Sequence, residues 1–129
     1  MESVELTWPG GCHRFRLRIG ELRALQTALD AGPEEVFNRL RLGTWRVDDL
    51  VQVIRWGLVG AEEMSASDAA TFVTPLIDLH PASQFKMTAL AILAHALLGD
   101  LGDAVGEPDG GPETPPENSS SPASTAQEP

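Results

Sequence analysis

The stretch "CHRFRLRIGELRALQTAL", residues 12–29, decides how the chain begins to fold. Phe15, Leu17 and Ile19 alternate with Arg14, Arg16 and Arg18, the period of a strand with one apolar and one wet face. From Leu22 the period changes: Leu22, Leu25 and Leu29 recur at helical spacing. Upstream, Val4, Leu6 and Trp8 alternate with Glu5 and Thr7, and "PGGC" at residues 9–12 separates the two alternating runs. Proline presets one turn dihedral and glycine accepts positive φ, so the runs read as a hairpin. With residues 9–12 as the loop, Leu6 falls opposite Phe15, Val4 opposite Leu17, and Glu5 opposite Arg16. A two-stranded sheet needs other elements over its apolar face.

Helices supply that cover. Gly32 and Pro33 mark a stop and a restart, after which "PEEVFNRLRLG" turns Val36, Phe37 and Leu40 inward. In "RVDDLVQVIRWGLVG", Val47, Leu50, Val51, Ile54 and Leu58 trace one stripe that ends near Gly57 or Gly60. Ser65 stands three residues before Asp68, a capping-box-like start for a helix carrying Ala69, Phe72, Val73, Leu76 and Ile77. Pro75 is expected to kink or split that helix. Pro81 opens the last one, "PASQFKMTALAILAHALLGD", whose second half is apolar almost all the way round. Such a helix is buried on several sides or carries an unfilled partner surface. The expected fold is α+β and mostly α: an N-terminal β-hairpin packed on about five short helices over residues 1–99, followed by a disordered tail.

The tail, residues 100–129, follows from composition. It holds six of the ten prolines, seven acidic residues and no basic one, so it lacks the apolar area that offsets the entropy of ordering. Residues 1–99 carry nine basic and twelve acidic side chains, so most of the net charge of -10 belongs to the tail. An acidic chain of this kind is a poor phosphate binder, because non-specific nucleic-acid affinity rests on Lys and Arg neutralising the backbone. The single cysteine, Cys12, and an opening "MESVELTW" without a charged leader and apolar run point to a reducing cytoplasm. "MTALAILAHALLG" is too short for a membrane span, which needs about 20 residues.

No residue set argues for catalysis. Glu34 with Glu35, Asp48 with Asp49, and Glu62 with Glu63 each sit at or just before a helix start, where negative charge is favoured, and adjacent helical residues diverge. His13, His80 and His95 have no Cys or carboxylate at a metal spacing, Cys12 has no base nearby in sequence, and no phosphate loop is present; no cofactor is expected. The arginine stripe lacks interleaved aromatics, since Trp8 and Phe15 fall on the other face, and reads as a solvated face. The candidates for partner binding are Trp45 and Trp56, which flank the third helix, and Leu90, Leu93 and Leu97 on the last one.

Together, "HRFRLRIGELRALQTALDAGP" and "NRLRLGTWRVDDLVQVIRWGLVGA" resemble the small gene-transfer-agent tail protein family, grouped with phage tail tube and tail assembly chaperone proteins. The resemblance covers residues 4 to about 98 and rests on two blocks: Leu17 to Leu22, and Val47 to Asp49 continuing through Ile54 to Gly57 and Leu58. It implies a cytoplasmic, non-enzymatic chaperone that coats the tape measure protein and hands over to tail tube subunits, with self-association left open. A structural, tube-associated tail component is the alternative. A third reading is a helical DNA-binding regulator with Arg46 and Arg55 near a backbone. It fares worse, because the start of that helix is acidic where base-reading polar side chains belong.

Overall fold

The computed structural model describes residues 2–99; the expected disordered tail at 100–129 lies outside the described residues. Two antiparallel strands, β1 (Val4–Trp8) and β2 (Gly11–Phe15), precede five helices: α1 (Ile19–Leu29), α2 (Pro33–Leu42), α3 (Val47–Gly60), α4 (Ala66–Leu79) and α5 (Ala82–Leu98). The α+β, mostly helical architecture is the one the periodicities require.

The hairpin register differs from the expected one. Val4 pairs with Phe15, Glu5 with Arg14, Leu6 with His13, and Trp8 with Gly11, so Pro9 and Gly10 alone make the turn. Gly11 follows at φ 117, a backbone conformation that excludes most side chains. The slip is two residues, which preserves the faces: Trp8 and Phe15 are buried, while Glu5, Thr7 and Arg14 are exposed. Because β2 ends at Phe15, Arg16 and Leu17 do not pair with β1. They leave the sheet as an extended strap that docks on the end of α3.

Glycine makes that docking work. The Arg16 N–H donates to the Gly57 carbonyl at 2.9 Å and its Nε to the Gly60 carbonyl at 2.8 Å. A Cβ on Gly60 would overlap the Arg16 carbonyl, so α3 continues through Gly57 and ends at Gly60 with its last turn left bare for the strap. Arg16 is therefore half-buried against backbone rather than paired with Glu5. Arg18 is the N-cap residue of α1, and the Glu21 carboxylate reaches back to it: the Arg18 N–H and Nε donate to Glu21 Oε1 at 2.9 and 3.0 Å.

The core forms around α3, which packs against α1, α4 and β2. Leu50, Val53, Ile54 and Leu58 are fully buried with Phe15, Leu17, Leu25, Val36, Leu40, Val73, Phe85 and Ile92. Val47, assigned to the inward stripe from sequence, is 58% exposed because it is the first residue of α3, outside the turn that meets the core. Val53 takes an inward place instead. Ser65 caps α4 by accepting from the Asp68 N–H at 3.2 Å, and the helix runs unsplit through Pro75. The buried charge is equally local in origin. Asp49, fully buried, accepts from the Arg46 N–H at 2.8 Å and from Arg39 Nη1 at 3.2 Å, which joins α2 to the start of α3.

Candidate partner-binding site

Five residues were candidates for partner contact, and the fold disperses them. Leu93 is fully buried in the core with Phe85, Ala89 and Ile92, the last of which lies close to Gly57 of α3. Leu90 is half-buried and packs on the core, Trp45 and Trp56 do the same, and Leu97 is more open. Trp56 is held in place from both sides: its Nε1 donates to Gln52 Oε1 at 3.0 Å, and the Arg55 guanidinium lies 4.7 Å from the ring centroid. No single surface gathers all five.

A different surface is concave. Leu6, Thr7, Trp8 and Pro9 from the hairpin face Gln84, Met87, Thr88 and Ala91 of α5 across an open groove of ≈ 540 Å³. The helical spacing of 84, 87/88 and 91 sets one row of α5 along β1, while Phe85, Ala89 and Ile92, on the adjoining row, enter the core. The groove is apolar in effect. Thr88 Oγ1 donates back to the Gln84 carbonyl at 3.1 Å, Trp8 Nε1 donates to His13 Nδ1 at 2.9 Å, and Met87 is 65% exposed at the rim. Its Trp8 wall is rigid, since the indole packs edge-on against Phe15, Phe72 and Phe85 with centroids 5.8, 6.0 and 6.3 Å away. Sequence reading missed Leu6, Trp8, Met87 and Ala91 as a site. The alternation in β1 and the second row of α5 were visible, but not that they face each other.

The two edges of the hairpin are treated differently. On the outer edge of β2, the Arg14 N–H donates to Glu63 Oε2 at 3.1 Å and the Arg14 Nε to the same oxygen at 3.0 Å. Those bonds to Arg14 hold the Glu63 carboxyl below the ordinary carboxylate range. Burial works against ionisation of Glu21, but the hydrogen bonds and charge of Arg18 outweigh it and the net displacement is also downward. The outer edge of β1 has no such cover among the described residues.

The remaining polar groups do not converge. Cys12 donates its thiol to Glu5 Oε2 at 3.1 Å, and that carboxylate pushes the thiol pKa up, away from nucleophilic thiolate. His13 belongs to the Trp8 cluster, His95 Nε2 lies 2.6 Å from the Glu2 carbonyl oxygen, and His80 stacks edge-on to Phe85. Among the described residues no three His, Cys, Asp or Glu side chains gather as a metal site, and no helix is long and apolar enough to cross a membrane. What the geometry offers is a small helical domain with a rigid apolar groove.

The family model described as phage tail tube protein, GTA-gp10, matches residues 2–99, and the chain belongs to that family. It is thus a protein of phage-like tails. No curated protein and no solved structure matches it.

Proposed function

We propose that this protein is a tail assembly chaperone, which binds the tape measure protein and tail tube subunits in the cytoplasm while a phage-like tail is being built. The observation that supports the reading is the apolar groove between β1 and α5, with Trp8 as its fixed wall and Met87 at its rim. A rigid concave apolar surface on an acidic domain suits transient masking of apolar segments that otherwise aggregate. The role needs no catalytic residues.

A structural, tube-associated component is the second reading, favoured by the family description itself. The described residues hold only a two-stranded sheet, whereas closing a tube from sheet edges calls for more strands per subunit. Co-expression with the tape measure protein and, separately, the tail tube protein of the same gene cluster decides between them. The chaperone reading requires that a partner become soluble and co-purify, and that this protein be missing from finished particles. Its retention in purified particles at tube stoichiometry would falsify the chaperone reading. Met87→Glu is the informative variant, because it places a charge in the groove at an exposed position. Leu93→Asp is unsuitable, since it puts an unpaired charge in the core and unfolds the domain.

A further inference from the structure

The unsealed edge of β1 runs beside the groove, and the hydrogen-bond pattern fixes what it presents. The Arg14 N–H points away from β1, because it donates to Glu63. Arg14 is paired with Glu5, so the Glu5 backbone N–H and C=O also point away from the partner strand, and those of Thr7, two residues on, do the same. None of these groups bonds to another backbone group among the described residues, and both residues are exposed. An extended chain laid along this edge would complete a third strand and drop alternate side chains into the groove over Leu6, Trp8, Met87 and Ala91.

Charge then selects the occupant. The Glu5 carboxylate has no cationic partner among the described residues, because Arg14, directly across from it, is engaged by Glu63 at 3.0 Å. A second copy of β1 brings another Glu5 and no cation, as the strand holds none. We infer that the β1 edge accepts, by strand addition, an extended segment of a partner protein with apolar residues on the groove side and a basic residue opposite Glu5. This rests on the chaperone reading for the identity of the partner, but the edge itself is testable without it.

The test titrates the ¹⁵N-labelled protein with the peptide acetyl-Val-Arg-Val-Arg-Val-Arg-Val-amide and follows amide exchange. The expected result is saturable protection of the Glu5 and Thr7 amides, weakened at least tenfold in Thr7→Pro and in Met87→Glu. Thr7→Pro removes an outward N–H that holds no intrachain bond, and proline is tolerated at such edge positions. Met87→Glu, at an exposed helical site, supplies the answer if the proline variant fails to fold. Protection elsewhere, no protection at millimolar peptide, or unaltered binding in folded variants overturns the inference. So does concentration-dependent dimerisation that protects the same amides without peptide, which would make a second copy the occupant. A groove-bound helix would shift Met87 and leave the Glu5 and Thr7 amides exchanging freely, and that also overturns it. Repeating the exchange on the co-purified tail complex separates the two readings. A complex without edge protection removes strand addition alone, and peptide protection without any tail complex removes the chaperone assignment alone.

Discussion

Gly60→Ala puts the central packing argument at risk. In a bare helix this change stabilises by about 1 kcal/mol, because alanine has the higher helix propensity. Here the added Cβ meets the Arg16 carbonyl and lies 2.9 Å from Glu21 Oε1, so the strap from Arg16 to Arg18 has to withdraw. Withdrawal breaks the backbone bond to Gly57, worth about 1 kcal/mol, and the guanidinium bond to Gly60, worth about 2 kcal/mol. Leu17, 1% exposed between these anchors, loosens as well. Against the propensity gain, the net destabilisation is about 2 kcal/mol or more, which for a domain of this size lowers Tm by about 10 °C. Urea unfolding followed by the fluorescence of Trp8 and Trp56 reads it as a midpoint drop of about 2 M, taking m near 1 kcal/mol per M. Gly20→Ala is the matched control, because nothing stands within 4 Å of its Cβ position and it should be neutral or slightly stabilising. A Gly60→Ala midpoint at or above the wild-type value would refute the strap.

Arg39→Ala should lower stability by about 3 kcal/mol in the same urea assay, because it leaves the fully buried Asp49 carboxylate without its cation, the Arg46 N–H alone remaining as donor; a loss under about 1 kcal/mol contradicts that burial argument. Leu17→Asp should leave no cooperative transition by circular dichroism, since the side chain is 1% exposed and a charge there has no partner. Stability should fall in acid. Glu21 and Glu63 have pKa values lowered by folding from 4.5, so their contribution is present above that value and disappears as the pH drops through the folded-state values. Urea midpoints measured from about pH 6 down to about pH 3 should show it, with a shallower decline in Glu21→Gln. An unchanged slope in that variant removes Glu21 from the account.

The elements were legible because each one depends on local periodicity. Leu25 and Leu29, Val36 and Leu40, and Leu50, Ile54 and Leu58 are buried as their spacing demands, and Ser65 caps where it should. The hairpin register was not legible, since "PGGC" permits more than one turn and a slip of two residues keeps every side chain on its face. Alternation places Arg16 on the wet face because it sees one strand only. Its partner is the carbonyl of Gly60, 44 residues away, and no period reports that. Leu93 stands among the partner-contact candidates for a related reason: an all-round apolar helix does not say which of its rows meets the core. The groove failed in the same way, as it joins two patterns from opposite ends of the domain.

The differing edges of the hairpin bear on function. Small sheets usually protect their edges, because exposed backbone groups recruit foreign strands. In this domain the β2 side is closed by Glu63, which accepts from Arg14, and just past the end of the strand the Gly57 and Gly60 carbonyls accept from Arg16, contacts supplied by the end of α3 and the turn that follows it. Nothing comparable covers β1 among the described residues, although α5 lies close enough to wall the groove beside it. On α5 itself, Phe85, Ala89, Ile92 and Leu93 anchor the helix, while Met87 and Ala91 add nothing to that anchor and line the groove. Holding the fold and offering an apolar surface thus fall to different rows of one helix. Partner contact can then be removed at Met87 without loosening the core, which is why the Met87→Glu variant can distinguish a binding surface from a packing residue.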